Sequence, residues 1–274
     1  MPQELKVAII LSVYKSDSLT FLKEAVDSLI NQTYSCIDIF IQVDGWVSDD
    51  VKCLLKKYNE ENNIFIFYHA EQKGLATRLN NSIDLIIEKG GYEYIARMDS
   101  DDISCSNRIE TQVKFMSDNI DIDVVGSDVI EISEIGDELY YKKMDSDSEI
   151  IMKKIIKKCP LNHPSVMFRT SLFEDGVRYN ASLKNTQDYY LWIDLLSAGK
   201  KISNINKPLL KFRVDNNFHS RRGFKKAIND LNARCYAFKK LEVLTLTNIL
   251  HTVLLFLLRI SPPFLKKIAY NKFR

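Results

Sequence analysis

The first hundred residues alternate short apolar runs with amphipathic segments, and this alternation constrains the fold more than any other feature of the chain. Continuous apolar runs suit parallel strands that are covered on both faces, whereas apolar residues spaced three and four apart suit helices. The alternation predicts an α/β fold with a mostly parallel, Rossmann-like sheet flanked by helices. The predicted strands are Val7–Val13, Ile37–Val43, Ile64–Tyr68 and Tyr94–Met98, and the predicted helices are Leu19–Asn31, Val51–Tyr58 and Leu75–Glu88.

Beyond residue 102 the pattern continues with less regularity. We predict two strands, then two helices, then a last strand, and neither an internal repeat nor a low-complexity linker interrupts the chain before about residue 215. These segments are Val124–Ile132, Glu138–Lys142, Ser148–Lys158, Asp188–Ala198 and Leu209–Val214.

Carboxylates follow the fourth predicted strand directly, in the sequence Asp99-Ser100-Asp101-Asp102. Ligands of open α/β sheets bind at the carboxyl ends of the strands, and Asp44 ends the second strand at the same edge. Carboxylate oxygens are ligands for hard divalent cations such as Mg²⁺ or Mn²⁺. A metal-assisted site is therefore one interpretation of this edge, and a solvated acidic turn is the alternative.

The charge is distributed unevenly along the chain. Residues 200–274 contain 17 Lys and Arg against 3 Asp and Glu, whereas residues 1–199 contain 21 against 33. A basic segment of this kind meets phosphate in nucleic acid, in a diphosphate ligand or in anionic lipid. Charge alone does not choose among these three partners.

Seven short motifs occur in an order that resembles family 2 glycosyltransferases of the GT-A fold, over roughly residues 5–220. The resemblance is greatest to bacterial members that extend O-antigen, capsule or other surface polysaccharides. It implies inversion at the anomeric carbon, a nucleotide-sugar donor and usually Mn²⁺ or Mg²⁺. The motifs are Ser12-Val13-Tyr14-Lys15, Gln32-Thr33-Tyr34, Asp44-Gly45, Lys73-Gly74-Leu75-Ala76, Ala96-Arg97-Met98-Asp99-Ser100-Asp101-Asp102, His163-Pro164-Ser165 and Gln187-Asp188-Tyr189-Tyr190-Leu191-Trp192.

The resemblance also implies roles for single residues at the donor site. Ser12, Tyr14 and Asp44 match the residues that hold the uracil and ribose of a UDP-sugar, and a carboxylate at Asp44 can accept a hydrogen bond from the uracil imide. Asp99 matches the ribose-proximal or metal-proximal residue, and Asp101 matches the direct metal ligand.

Basic residues near the donor are implied at two further places. Lys73 and Arg78 match a position near the donor, although a basic residue on a helix surface is an equal alternative. Arg213, His219 and Arg221 resemble a family loop that closes over the diphosphate, and guanidinium groups suit phosphate because they bind it bidentately.

Asp188 matches the catalytic base of the family. An inverting transfer needs one carboxylate to accept the proton of the acceptor hydroxyl. The alternative interpretation makes Asp188 the N-cap of the helix that follows. The role of His163 stays open between the acceptor side of the site and a structural contact that holds its loop.

The segment Leu241–Leu258 is rich in leucine, but Glu242, Asn248 and His251 interrupt it. A spanning helix needs about 20 mostly apolar residues, so an in-plane helix on an anionic membrane surface fits better. A buried helix or an oligomer interface is the alternative. We therefore expect a catalytic domain at 1–220, with a donor half at 1–102 and an acceptor half at 103–220, and a basic, amphipathic helical extension at 221–274.

These observations together predict an inverting hexosyltransferase that uses a UDP-sugar and a polyprenyl-diphosphate-linked saccharide acceptor. A secretory leader is not expected from the N-terminal residues, and five scattered cysteines without a CxxC pair indicate neither disulfides nor zinc. We expect a peripheral protein on the cytoplasmic face of the membrane, without a nucleic-acid partner. The alternatives are a nucleotidyltransferase-like enzyme and a non-catalytic, basic-tailed protein that binds nucleic acid.

Overall fold

A computed structural model describes residues 4–214 and 224–261 of the chain. The strands in this part are β1 Val7–Tyr14, β2 Ile37–Asp44, β3 Ile64–His69, β4 Tyr94–Met98, β5 Ile103–Ser104, β6 Val124–Ile132, β7 Glu138–Lys142, β8 Met167–Arg169 and β9 Ile202–Arg213. The helices are α1 Leu19–Ile30, α2 Asp49–Tyr58, α3 Leu75–Lys89, α4 Arg108–Asp118, α5 Ser148–Lys154, α6 Ser171–Glu174, α7 Gln187–Ser197, α8 Phe224–Leu241 and α9 Leu246–Ile260.

The strands form a single mixed sheet in the order β3-β2-β1-β4-β8-β6-β9-β5, with β7 paired to β6. Its first half, β3-β2-β1-β4, is parallel throughout. Its second half is mixed, because β8 is antiparallel to both β4 and β6 whereas β6 and β9 are parallel. The predicted α/β class is therefore confirmed, and the parallel character is concentrated in the first half.

Two hydrophobic clusters cover the two faces of the sheet. Side chains alternate across a strand, so Ile9 packs in one cluster with Leu22 of α1, and Ile10 packs in the other with Leu79 of α3. Every residue of β2 is buried. Burial on both faces explains why these strands are continuous apolar runs in the sequence.

The elements that escaped prediction bury few large apolar side chains or are very short. Helix α4 buries Arg108 and Gln112 beside its apolar residues, which weakens the periodic signal. Helix α8 lies within the predicted helical extension, but its bounds were not predicted, because it buries small alanines at 227, 233 and 237. Strands β5 and β8 are two and three residues long, below the length at which a pattern is visible.

The last two described helices form a hairpin against the sheet domain. Helix α8 packs on α7, where the rings of Tyr190 and Tyr236 are 4.9 Å apart and the Tyr236 hydroxyl donates to Asp194 at 2.5 Å. Helix α9 packs on α8 through an ion pair of 2.5 Å between Arg259 and Asp230. Within residues 4–214 and 224–261, no helix combines the length and the apolar character that a bilayer crossing requires.

Candidate active site

The carboxyl ends of β1, β2 and β4 meet in a crevice of about 360 Å³, which we call the donor crevice. Five residues predicted from the sequence line it together: Ser12, Tyr14, Asp44, Asp99 and Asp101. The strands are adjacent in the order β2-β1-β4, so residues distant in sequence converge at one edge. Five further residues of the lining had no predicted role of their own: Asp17, Gln72, Gly74, Leu75 and Ser100.

Asp44 is held in place by three donors. The backbone N–H groups of Lys73 and Gly74 each donate to its carboxylate at 2.8 Å, and Arg78 Nε donates at 2.6 Å. Gly74 has a φ of +87°, a conformation that favours glycine, and it begins α3. A carboxylate has about four acceptor sites, so Asp44 is fixed in orientation while retaining capacity for one more donor.

The two basic residues predicted beside the donor have different positions. Arg78 is buried, with 3% of its surface exposed, and its guanidinium holds Asp44 rather than facing the crevice. Lys73 contributes its backbone to Asp44. Its side chain is exposed and lies 3.4 Å from the carboxylate of Glu71.

Asp99, Asp101 and Asp102 form an acidic cluster directly after β4. One carboxylate oxygen from each lies within 4.8 Å of the others. Burial and the neighbouring Asp99 raise the pKa of Asp101 to about 6, and burial with both neighbours raises the pKa of Asp102 well above its usual value. Asp102 Oδ2 has no hydrogen-bond partner among the described residues. A divalent cation would relieve this repulsion, and the oxygen ligands fit Mg²⁺ or Mn²⁺.

Arg213, the last residue of β9, donates hydrogen bonds that hold two residues of the acidic cluster in place. Its backbone N–H donates to Asp102 at 2.8 Å and its Nε donates to the carbonyl of Asp101 at 2.8 Å. Its guanidinium also contacts Glu24 at 2.5 Å and lies 4.1 Å from the ring centre of Phe21. The guanidinium predicted to meet phosphate is therefore engaged in holding the cluster. His219 and Arg221 lie outside the described residues.

Asp17 is a carboxylate of the donor crevice without a role in the sequence-based prediction. It accepts hydrogen bonds from Tyr14 N at 3.0 Å and from Ser100 Oγ at 2.8 Å, so it joins the loop after β1 to the acidic cluster. Burial raises its pKa to about 7, and the charges of Asp101 and Asp99 add to this effect. In the sequence, the feature that could have indicated a role for Asp17 in the site is its position just after the end of β1.

Asp188 lies in the first turn of α7, half-buried. The helix N-cap is Thr186, so the alternative that Asp188 caps the helix is wrong. Burial raises the pKa of Asp188, which strengthens the carboxylate as a base; the charge of Arg97 opposes this effect and that of Asp99 adds to it. Asp188 thus interacts electrostatically with the residues around the acidic cluster.

Arg97 links Asp188 to the acidic cluster, although the sequence suggested no role for it beyond its motif. Only 1% of its surface is exposed, and its Nη2 forms an ion pair with Asp99. Its Nε and Nη1 have no hydrogen-bond partner among the described residues. Burial and the nearby Arg97 charge lower the pKa of His163 well below its usual value, so the ring is neutral.

His163 lies in a short 3-10 helix, His163–Ser165. Its Nε2 is 2.9 Å from the hydroxyl of Tyr179, and its ring centre is 6.1 Å from that of Trp192. These contacts favour the structural alternative, in which the histidine holds its loop against α7.

In a comparison with known protein families, the Glycosyl transferase family 2 profile matches residues 8–177. The O-antigen biosynthesis glycosyltransferase WbnJ of Escherichia coli is 30% identical over 89% of this chain and 92% of its own length. The UDP-Gal:alpha-D-GlcNAc-diphosphoundecaprenol beta-1,3-galactosyltransferase of Escherichia coli is 28% identical over 97% of this chain and 96% of its own length.

Solved structures show the same fold at low sequence identity. TarS of S. aureus in complex with UDP has a TM-score of 0.64 and 16% identity, over 84% of this chain and 65% of that protein's chain. The mannosyltransferase PcManGT of Pyrobaculum calidifontis, in complex with GDP-Man and Mn²⁺, has a TM-score of 0.63 and 13% identity, over 99% and 80% respectively.

Proposed function

The chain belongs to glycosyl transferase family 2, and on that premise we propose that it is an inverting, metal-dependent hexosyltransferase of bacterial surface polysaccharide synthesis. The donor is a UDP-sugar carrying glucose, galactose or an N-acetylhexosamine. One observation supports this most directly: Asp44, Asp99 and Asp101 line one crevice at the carboxyl edge of the sheet. Asp188 interacts with the same cluster from α7.

The uracil of the donor is assigned to the end of β2. Asp44 is fixed by three donors and keeps acceptor capacity for the uracil imide. Ser12 and Tyr14 at the end of β1 line the same crevice and supply hydroxyl groups for the ribose. The printed name of one E. coli relative includes UDP-Gal, which supports a UDP-sugar.

The acidic cluster is assigned to the metal and the diphosphate. Asp101 and Asp99 would hold Mn²⁺ or Mg²⁺, which when bound neutralises charge on the phosphate oxygens of the departing UDP. Arg97 orients Asp99 through their ion pair, and Arg213 fixes the backbone of Asp101. Both arginines therefore act as positioning residues for the cluster.

Asp188 is assigned as the general base. The proton of the acceptor hydroxyl passes to its carboxylate while the hydroxyl oxygen attacks the anomeric carbon and the bond to UDP breaks. The reaction is one displacement, so the sugar inverts and no second nucleophile is needed. The raised pKa of Asp188 helps it to accept the proton.

The acceptor is proposed to be a polyprenyl-diphosphate-linked saccharide at the cytoplasmic face of the membrane, met by residues 241–274. Helix α9 supports this because its outward face is apolar and unpartnered among the described residues, with Leu246 82% exposed. The same face exposes Ile249, Leu250, Val253, Leu254, Leu257 and Ile260. Basic residues flank it at Lys239 and Lys240 and recur to Arg274, which suits anionic headgroups.

A donor screen tests this function. The full chain is incubated with Mn²⁺ and each UDP-sugar, with lipid-diphosphate-linked GlcNAc or GalNAc as acceptor, and release of UDP and of pyrophosphate is measured. We expect acceptor-dependent UDP release that stops when the cation is chelated. Pyrophosphate release instead would indicate a nucleotidyltransferase, and release of neither would contradict the proposal.

A further inference from the structure

A second crevice, of about 490 Å³, lies between the start of α7, the loop that precedes it and the first half of α8. We call it the helical crevice. The loop 182–186 forms one wall, Tyr190 of α7 another, and Ile228, Asn229 and Asn232 of α8 the third. Thr186 and Tyr190 bracket Asp188 along the chain, so this crevice adjoins the first turn of α7, which carries the proposed base.

The chemistry of the helical crevice differs from that of the donor crevice. Its lining contains no carboxylate and one cation, Lys184, among amides and hydroxyls. The side chains of Asn185, Asn229 and Asn232 form no hydrogen bond with any of the described residues and remain available to a ligand. Amide groups offer both donors and acceptors, which match the hydroxyl groups of a neutral sugar.

The backbone at the rim is also unusual. Thr186 has a φ of 62°, a left-handed conformation that is rare for a β-branched residue. Residues held in such conformations cluster at binding and catalytic sites. This conformation brings the loop 182–186 into the wall of the crevice while α7 starts directly after it.

Helix α8 connects the helical crevice to the proposed membrane surface. Its residues 228, 229 and 232 line the crevice, whereas Asp230 and Arg234 lie against α9. An acceptor that leaves the membrane beside α9 would therefore meet α8 before it reaches Asp188. The crevice is placed for a part of the acceptor that binds without reacting.

We infer that the helical crevice binds a neutral sugar of the acceptor chain, the one adjacent to the sugar that reacts. This inference rests on the proposed function and extends it, because it assigns acceptor recognition to the loop 182–186 and to α8. Asn229 and Asn232 are the residues that recognise this sugar, through hydrogen bonds from one face of the helix.

The test compares acceptors that carry one sugar with acceptors that carry two, each on the same lipid diphosphate, drawn from Glc, Gal, GlcNAc and GalNAc. The double variant Asn229→Ala, Asn232→Ala is suitable because alanine raises helix propensity at both positions. Asn62→Ala, which removes an exposed amide in the turn before β3, is the matched control. KM is measured for each acceptor and for the UDP-sugar.

We expect the wild type to have a lower KM for two-sugar acceptors, and the double variant to lose this preference with about a tenfold rise in that KM, as the loss of two hydrogen bonds implies. The KM for the UDP-sugar should stay within about twofold of wild type. The inference is overturned if the double variant keeps the preference, or if the wild type has none. It is also overturned if Lys184→Ala raises the KM of both acceptors and the double variant raises neither, since the crevice would then bind the diphosphate. Absence of acceptor-dependent UDP release from wild type would instead overturn the proposed function.

Discussion

The donor crevice lies at the carboxyl ends of β1, β2 and β4, the helical crevice lies between α7 and α8, and the two are built in opposite ways. The donor crevice lies at the ends of buried strands. Two of its carboxylates are fixed by hydrogen bonds, since Asp44 accepts three and Asp17 accepts two. The helical crevice has free amides and no carboxylate in its lining. The side chains proposed to take part in catalysis are thus held in place by hydrogen bonds. The side chains proposed to recognise the acceptor keep hydrogen-bonding groups available for it.

The largest effect is expected at the acidic cluster. Asp101→Ala removes a carboxylate that would anchor the cation, and a metal ion contributes several kcal/mol of charge stabilisation in such reactions. Transfer at saturating Mn²⁺ should therefore fall below detection, while the affinity for acceptor is retained. Turnover is measured by UDP release. Activity within twofold of wild type would show that the acidic cluster is not required for sugar transfer.

The second effect is expected at the base. Asp188→Asn keeps the shape of the side chain but accepts the proton poorly, so turnover should fall by about 10² to 10⁴. Binding of UDP, measured by calorimetry, should not change. Asp194→Asn is the control, an exposed carboxylate on the same helix. If UDP affinity fell and turnover survived, Asp188 would be a structural residue.

A third prediction concerns the apolar face of α9. Truncation after Lys240 should move the protein from vesicles to the soluble fraction, because the exposed leucines and several basic residues, each worth about 1 kcal/mol near an anionic surface, are removed. Transfer to lipid-linked acceptors should slow more than transfer to short soluble analogues.

A finer version of this experiment keeps the whole chain. Leu250→Glu with Leu254→Glu places charge on the exposed face of α9 and should weaken sedimentation with anionic vesicles. Equal sedimentation of the truncated and full chains with vesicles would show that α9 does not attach the protein to the membrane. Resistance of the full chain to extraction by high salt or carbonate would contradict a peripheral attachment.

The smallest effect is expected on stability, from the half-buried Asp17. Its pKa of about 7 exceeds the unfolded value of 3.8, so the native state binds the proton more tightly. The free energy of unfolding of the metal-free protein should therefore fall as pH rises from about 4 to 7. Asp17→Asn should remove a share of this fall, on the order of 2 kcal/mol, because Asp17 keeps partial solvent contact.

Urea unfolding at several pH values measures this effect. Asp49→Asn is the control, since Lys52 lowers the pKa of that exposed carboxyl and stability from it changes only at acid pH. An unchanged pH profile in Asp17→Asn would show that the half-buried carboxyl does not titrate in this range.

The two regions also differ in how far the sequence predicts them. Strands β1, β2 and β4 were predictable because burial on both faces produces continuous apolar runs, and Asp44 and Asp99 followed from the ends of those runs. The sequence does not reveal that the charge of Arg97 acts on Asp188 as well as on Asp99, because the effect on Asp188 depends on the tertiary placement of α7.

Helix α8 illustrates a different limit. It packs through small side chains such as Ala233 and Ala237, so no stripe of large apolar residues marks it. Its contacts with α7 join residues more than forty positions apart, such as Asp194 and Tyr236. Contacts of this kind depend on the tertiary fold and cannot be predicted from the local sequence pattern.

The two faces of α8 have a consequence for how this part of the chain can vary. Asn229, Asn232 and Tyr236 lie on one face, which lines the helical crevice and packs on α7, and Asp230 lies on another face, which packs on α9. Successive residues of a helix are rotated by about 100°, so a single inserted residue would displace every face beyond it at once. Substitution can therefore diversify one face while its neighbours are preserved, whereas insertions and deletions within the helix should be selected against.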